Sequence, residues 1–162
     1  MIVRKFIPDD LEAVIAIFCD SIRAVASRYY DPVQIEAWGS PNAIDHERWL
    51  KSLLGNITYV AEDEKNLIGF GDMTHHGYID RLFVHKKYQG TGAAQKIFRK
   101  LEEAARQLNL QELTTEASIV AMPVAKRLGF EILEKQIKIH NGIEFINYRM
   151  RKKLSDNSIK FL

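Results

Sequence analysis

The chain has 162 residues, about the length of one ordinary globular domain. Hydrophobic residues make up 46% and charged residues 27%, so the composition supports a buried core and excludes a disordered or fibrous chain. Lys and Arg number 23 against 21 Asp and Glu, and the net charge is only +2. A field this weak argues against nucleic acid or an anionic membrane as the main partner and favours a small molecule.

No apolar run approaches the ~18 residues that span a bilayer, and the first residues lack a secretory pattern, so a cytoplasmic protein is expected. Cys19 is the single cysteine, so the chain can form neither an internal disulfide nor a cysteine-based zinc site. Because the neighbouring residues are apolar, we expect Cys19 to pack in the core.

The first third of the chain predicts a strand, a long helix and an irregular region. Residues 1–7 form the strand, which Pro8 ends, and Asp9 and Asp10 provide capping carboxylates for the helix. Apolar residues then recur at spacings of three and four from Leu11 onward. Two short helices are expected at residues 33–38 and 44–54, and the aromatic residues around them make this region a candidate wall of a ligand pocket.

The middle of the chain predicts an antiparallel meander followed by alternating helices and strands. The meander strands are residues 57–62, 67–74 and 78–84. The expected elements after it are a helix at 90–108, a strand at 112–117 and a helix at 119–128 that Gly129 ends.

The end of the chain predicts a hairpin and a tail. Strands at residues 131–140 and 143–150 flank Asn141-Gly142, which suits the positive φ angles of a tight turn. Residues 1–150 are therefore expected to form a single domain, and residues 151–162, with four basic residues, a flexible tail.

The most informative segment joins the third meander strand to the next helix through Gln89-Gly90-Thr91-Gly92-Ala93-Ala94. Small residues at a helix start leave backbone N–H groups approachable, which suits phosphate oxygens. A Walker loop would need Lys and Ser or Thr after Gly92, and a Rossmann fingerprint would need a third glycine at Gln95. Neither is present.

The remaining pattern, Gln-x-x-Gly-x-Ala over residues 89–94, resembles the pyrophosphate loop of the GNAT superfamily of acyl-CoA-dependent N-acetyltransferases. The order of predicted elements over residues 1–150 is also similar to that family. The resemblance implies an α+β fold with a mixed, mostly antiparallel sheet of about seven strands, flanked by helices, and a splay between strands 4 and 5. Ser118-x-x-Ala121, followed by Arg127-Leu128-Gly129-Phe130, looks like the second cofactor segment, with Ser118 where Asn is usual.

A narrower resemblance is to the YafP-type group of bacterial acetyltransferases. It is carried by Tyr30-x-Pro32-x-Gln34-Ile35-x-Ala37-Trp38, by Tyr78-Ile79-Asp80, by Leu82-Phe83-Val84 and by Ala117-Ser118.

The resemblance implies direct attack of an amine on the thioester of acetyl-CoA, used as a cosubstrate without a metal. A backbone N–H of the fourth strand would bind the thioester oxygen, which maps to Leu82, Phe83 and Val84. The pyrophosphate would bind at Gln89, Gly90, Thr91, Gly92, Ala93 and Ala94. The acceptor would be a small-molecule amine or a protein amino group.

Two residues are candidates for the general base. Strand alternation places Asp80 on the face of Tyr78 and Leu82, next to the expected oxyanion donors, but Asp80 could equally pair with Arg81 or Lys138. His76, beside His75, is the second candidate because an imidazole can accept and donate a proton near neutral pH; a polar strand end explains both histidines as well.

One departure from the family leaves the general acid open. Many members carry a tyrosine four residues before the Gly-Phe glycine, and this position is Ala125. A thiol with a pKa of about 8.5 can leave without a strong acid. Tyr148 is an alternative acid, and a non-catalytic acyl-CoA-binding or regulatory module is an alternative function.

The acceptor pocket and the assembly are less defined by the sequence. Tyr30 and Trp38 could line the pocket or pack in the core. The basic cluster around Arg151 is expected to be a solvated strand end, although a small DNA-associated protein is a third hypothesis. His75, His76 and His85 have no recognised metal-ligand spacing, so no metal is expected. A dimer is possible.

Overall fold

The structure is a computed structural model that describes residues 1–28, 30–39, 44–140 and 142–154. The strands are β1 (Ile2–Lys5), β2 (Ile57–Asp63), β3 (Asn66–Met73), β4 (Tyr78–Val84), β5 (Glu112–Ser118), β6 (Glu131–His140) and β7 (Ile143–Lys153). The helices are α1 (Leu11–Val25), α2 (Pro32–Gly39), α3 (His46–Gly55), α4 (Ala93–Gln107) and α5 (Met122–Arg127).

All seven strands form one sheet in the order β1-β2-β3-β4-β5-β7-β6. The β4–β5 pair is parallel, and the other five neighbouring pairs are antiparallel. This architecture confirms the predicted mixed, mostly antiparallel sheet with flanking helices. β4 and β5 therefore lie at the centre of the sheet.

Helices cover both faces of the sheet and give it two apolar clusters. On the α1 face, residues of α1 and α3 such as Phe18 and Leu53 pack against Phe70. On the α4 face, Ile97 and Leu101 of α4 are fully buried against β2, β3 and β4. The single cysteine, Cys19, is buried on the α1 face, in agreement with the predicted core role.

The close approach of α4 to the sheet depends on small residues in β3. A Cβ atom added at Gly71 would lie 2.9 Å from Leu82 Cδ1 and 3.0 Å from Ile97 Cγ2. A larger side chain at this position would push α4 away from β4. The glycine therefore helps to fix the position of the loop that connects these two elements.

Several element boundaries differ from the sequence prediction for local reasons. β1 ends at Lys5, because Asp10 turns back to accept the Ile7 N–H at 2.9 Å and two hydrogen bonds from Arg4, each at 2.9 Å. The helix expected from residue 90 begins at Ala93, since Gly92 occupies the N-cap with a φ of 89°. The helix expected at 119–128 is confined to Met122–Arg127, with Gly129 at a φ of 103° after it.

The last strand is longer than the sequence predicts. β7 continues past Met150 to Lys153, because Arg151, Lys152 and Lys153 pair in register with the first three residues of β5. The rest of the predicted tail, from residue 155 on, and Asn141 of the predicted turn lie outside the described residues; Gly142 has a φ of 76°. In the described ranges, no helix is long and apolar enough to cross a membrane.

Candidate active site

The central feature of the sheet is a wedge between β4 and β5. The two strands pair at Tyr78 with Thr114 and at Ile79 with Thr115, and no later pair is formed. Beyond this point β5 continues to pair with β7 on its other edge as far as Ser118. The predicted splay is therefore present, and it opens toward the carboxyl end of β4.

A β-bulge at Asp80 changes which side chains share a face. Asp72 of β3 pairs with Arg81, but the next residue, Met73, pairs with Ile79, so Asp80 is the extra residue of β4. Because of this extra residue, side chains before and after Asp80 no longer alternate regularly between the two faces of the sheet. Leu82 packs with Ile79 on the α4 face, whereas the Arg81 guanidinium lies over the Trp49 ring on the α1 face. The expectation that Asp80 shares a face with Leu82 is wrong.

The backbone after the bulge is directed alternately to β3 and to the wedge. The His85 N–H donates to the Ile68 carbonyl of β3 at 2.7 Å, so the polar groups of Phe83 also face β3, and those of Leu82 and Val84 face the wedge. The Val84 carbonyl accepts the Ser21 hydroxyl at 3.1 Å. Of the three residues expected to contact the thioester arm, Leu82 and Val84 thus have backbone groups at the wedge. Phe83 packs its ring 5.0 Å from Phe18.

The segment from Gln89 to Ala94 closes the wide end of the wedge with a helix start. Gly90 and Gly92 have positive φ angles of 79° and 89°, and a Cβ at either would meet nothing within 4 Å. The first bond into α4 runs from the Lys96 N–H to the Gly92 carbonyl at 3.0 Å, and no side chain caps the helix. The N–H groups of the first turn therefore face open space at the positive end of the helix dipole.

The remaining residues of this segment strengthen the same arrangement. The Thr91 hydroxyl donates to the Tyr88 carbonyl at 2.5 Å, which tightens the turn before the helix. Gln89 is exposed, and its amide lies 3.5 Å from the Val84 carbonyl. Lys86 and Lys87 are exposed just upstream and add positive charge that the sequence pattern did not single out. The loop therefore combines open backbone N–H groups with positive charge, a combination that suits an anion.

A charge network lies beside the bulge on the α1 face. The Asp72 carboxylate is fully buried. Arg81 donates to it from Nε, at 3.0 and 3.2 Å to the two oxygens, and from Nη2 at 2.5 Å. The Asn56 side-chain amide donates to it at 2.9 Å. Arg81 also donates to the Ser52 hydroxyl at 2.7 Å. The sequence gave no signal for this network, because it joins residues up to 29 positions apart.

Asp80 lies at the edge of this network and keeps access to solvent. Its Oδ2 is 3.5 Å from Arg81 Nη2, and the side chain is 43% exposed. Desolvation raises the pKa of Asp80, and the Asp72 charge raises it further against the opposing effect of Arg81. Because Arg81 is held by Asp72, it only weakly neutralises Asp80. Of the two basic partners considered for Asp80, Lys138 instead pairs with Glu116.

The β5 side of the wedge carries polar groups near Asp80. The Tyr78 hydroxyl approaches the Glu116 backbone amide, and burial with the nearby Glu116 and Asp80 charges raises the pKa of Tyr78 to about 12. Glu116 accepts hydrogen bonds from Lys138 and from the Asn147 amide, the latter at 3.3 Å. This wall presents carboxylate, hydroxyl and amide groups to the same space as Asp80.

The end of β5 brings two tyrosines and a serine together. Tyr30 is buried, and its hydroxyl hydrogen-bonds to the Ser118 side chain and the Ile119 backbone. Tyr148 lies close enough to Tyr30 to interact electrostatically with it, and Ser118 accepts the Ala121 N–H at 3.1 Å. Ala125, at the position of the usual acid, is buried in the α4-face cluster.

The other predicted site residues are placed less centrally. His76 is exposed in the turn before β4, at the paired end of the β4–β5 contact and away from the open wedge. The ring of its neighbour His75 is 3.1 Å from the Gly55 carbonyl. The side chain of Trp38 lies outside the described residues. In the part of the chain that the structure describes, no group of three or more His, Cys, Asp and Glu is arranged to hold a metal ion.

Comparison with known protein families shows to which family the chain belongs. The model of the acetyltransferase (GNAT) domain matches residues 26–152, which is most of the chain. The chain belongs to the GNAT acetyltransferase family. It is 34% identical over 151 residues to an uncharacterized N-acetyltransferase, YafP of Escherichia coli, covering 93% of this chain and 95% of that protein.

Solved structures of GNAT proteins show the same fold. A GCN5-related N-acetyltransferase from Rhodopseudomonas palustris has a TM-score of 0.88 at 29% identity, covering 94% of this chain and 95% of that one. The PaiA N-acetyltransferase from Thermoplasma acidophilum, solved in complex with coenzyme A, has a TM-score of 0.76 at 19% identity, covering 94% and 98%. The predicted family and fold are thereby confirmed.

Proposed function

We propose that this GNAT protein transfers the acetyl group of acetyl-CoA to an amine by direct attack. The observation that carries the proposal is the wedge between β4 and β5, which leaves the edge of β4 at Leu82 without a strand partner and ends at a helix start that no side chain caps. An extended arm could pair with β4 as an added strand while a pyrophosphate binds at residues 89–94.

The cosubstrate fits the residues at both ends of the wedge. Gly90 and Gly92 leave open space where any Cβ would stand, and the N–H groups of the first α4 turn are aimed into that space. These donors suit phosphate oxygens, and Lys86 and Lys87 add favourable charge. The Leu82 N–H, directed into the wedge, suits the oxygen of a thioester whose negative charge grows during attack.

Asp80 is the proposed general base. Its partial exposure allows a water molecule or the amine itself to reach the carboxylate, and its raised pKa brings its basicity closer to that needed near neutral pH. The amine nitrogen would form a bond to the acetyl carbon and lose its proton toward Asp80, and coenzyme A would leave as the thiol. The acceptor is a small-molecule amine or a protein amino group.

The basic end of β7 supports an acceptor other than nucleic acid. Arg149 is 3.3 Å from Glu134, and Arg151 is 2.8 Å from Glu131. Lys152 is 2.6 Å from Glu102. These cations are balanced by carboxylates within the chain, so little positive charge is left for phosphate contacts.

Release of coenzyme A from acetyl-CoA in the presence of a panel of amines tests the activity. We expect turnover on at least one amine, and a fall of about 100-fold or more in kcat for Asp80→Asn with unchanged acetyl-CoA affinity. Asp63→Asn is the matched control, because Asp63 is 39% exposed on β2, beyond β3 from the wedge. Full activity of Asp80→Asn would reject Asp80 as the base.

A second candidate function is a non-catalytic acyl-CoA-binding or regulatory module. The observation that favours it is Ala125, which places a buried methyl group where many relatives carry the acid. This alternative predicts tight acetyl-CoA binding without turnover on any amine of the panel.

A further inference from the structure

Tyr30 is a buried titratable residue that the proposed function leaves without a role. It follows the short helical turn Ala26–Arg28 and precedes α2, and only 6% of it is exposed. Its ring packs 5.9 Å from that of Phe145 on β7. The ring is thus held between the α1–α2 connection and the last hairpin, and the hydroxyl reaches the end of β5.

The groups around the Tyr30 hydroxyl come from two strands. From β5 and the turn after it come the Ser118 side chain and the Ile119 backbone amide, both hydrogen-bonded to the hydroxyl, and β7 brings the Tyr148 hydroxyl nearby. Burial raises the pKa of Tyr30 and Tyr148 raises it further, so the phenol is protonated at neutral pH, whereas the bonds from Ile119 and Ser118 favour the tyrosinate. An acid benefits when donors are already aimed at its conjugate base.

The strand register places this hydroxyl across the wedge from the proposed oxyanion donor. The last pair of β4 and β5 is Ile79 with Thr115. Counting on from that pair, with one residue of β4 allowed for the bulge, Leu82 corresponds to Ala117 and Phe83 to Ser118 across the open wedge. A thioester that fills the wedge with its oxygen on the Leu82 N–H would have the end of β5 on its other side, and the proposal places its sulfur there. This is the position that the Tyr30 hydroxyl reaches.

We propose that Tyr30 is the general acid of the reaction and that Ser118 is its positioning residue. The inference rests on the proposed acetyltransferase function. As the amine forms the C–N bond and the C–S bond breaks, the sulfur keeps the electron pair and takes the Tyr30 proton. The proton lost by the amine passes through Asp80 to solvent, and solvent returns a proton to Tyr30. The acid comes from the α1–α2 connection instead of from α5.

The first test compares Tyr30→Phe with Tyr59→Phe, a control that removes a hydroxyl from a partly buried tyrosine on β2. Phenylalanine keeps the contact with Phe145, so the fold is retained. We expect Tyr30→Phe to lower kcat about 100-fold at unchanged acetyl-CoA affinity and Ser118→Ala to lower it about tenfold. Wild-type kcat in Tyr30→Phe would overturn the proposal, and would leave the acetyltransferase function standing.

The second test needs no acceptor and separates the two proposals. The thiol of bound coenzyme A is titrated through the ultraviolet absorption of its thiolate. Because a hydroxyl that donates to sulfur stabilises the thiolate, we expect the bound thiol to titrate about one pKa unit lower in the wild type than in Tyr30→Phe. Equal titration in the two proteins would refute the role of Tyr30 even if no amine were acetylated. A lower thiol pKa in the wild type, together with no turnover on any amine, would support the contact between Tyr30 and the sulfur and would reject the acetyltransferase function.

Discussion

Gly92→Glu is the most direct perturbation of the proposed pyrophosphate site. Gly92 is the N-cap of α4 at a φ of 89°, and a Cβ added there would meet no protein atom within 4 Å. A glutamate at this position would bring its carboxylate into the space proposed for the pyrophosphate, at a separation taken as about 5 Å. One pair of unit charges at that distance repels by about 3 kcal/mol at an effective dielectric constant of 20 and by about 1 kcal/mol in bulk water.

An intermediate repulsion of about 2 kcal/mol corresponds to about 30-fold weaker binding of acetyl-CoA. Titration calorimetry of the variant and the wild type would measure this difference in affinity. Gly142→Glu is the matched control, because Gly142 also has a positive φ, of 76°, and open space at its Cβ. The two variants share charge and backbone strain, and only Gly92→Glu should lose affinity. The loss should shrink in 1 M salt, where the Debye length is about 3 Å. Unchanged affinity of a folded Gly92→Glu would refute the site.

Three further predictions concern the base, the first helix and the core. In the wild type, kcat should fall as the pH drops through the raised pKa of Asp80, and the pH profile of Asp80→Asn should lack this fall; an identical profile would contradict the assignment. Asp10→Asn should lower the free energy of unfolding by about 2–3 kcal/mol in urea titrations, because Asp10 pairs with Arg4 and caps Ile7. The pKa of Asp10 is lowered, so its contribution is present above the unfolded value near ~3.9 and should disappear as the pH falls through the folded value. Leu101→Ala should destabilise the fully buried α4 face by about 3 kcal/mol, and a loss below about 1 kcal/mol would contradict the packing described.

The order and type of the elements could be predicted because the helices bury one apolar face and the short strands end at polar turn residues. The apolar spacing from Leu11 onward places α1, and the polar stretch at residues 63–66 and the glycine at 77 separate β2, β3 and β4. The positions of helix ends are harder to predict, because they depend on single groups. Asp10 accepts a hydrogen bond from Arg4, and Gly92 is the N-cap of α4. The apolar spacing of the sequence predicts neither of these features.

The parts of the candidate site that depend on consecutive residues could be predicted from the sequence. The parts that depend on contacts between residues far apart in the sequence could not. The Gly-rich helix start can be recognised from a few consecutive residues. In contrast, the bulge at Asp80 arises from the register with β3, and no glycine or proline announces it. The Asp72–Arg81 network and the contact of Tyr30 with Ser118 join residues that only the fold brings together.

The short contact between β4 and β5 also has a mechanical consequence. Only two registered pairs hold the four strands β1 to β4 to the three strands β5 to β7. An arm that fills the wedge would hydrogen-bond to β4 and bridge the gap to β5, so binding would make the sheet continuous. Acetyl-CoA should therefore slow amide hydrogen exchange in both halves of the sheet and make them unfold as one cooperative unit.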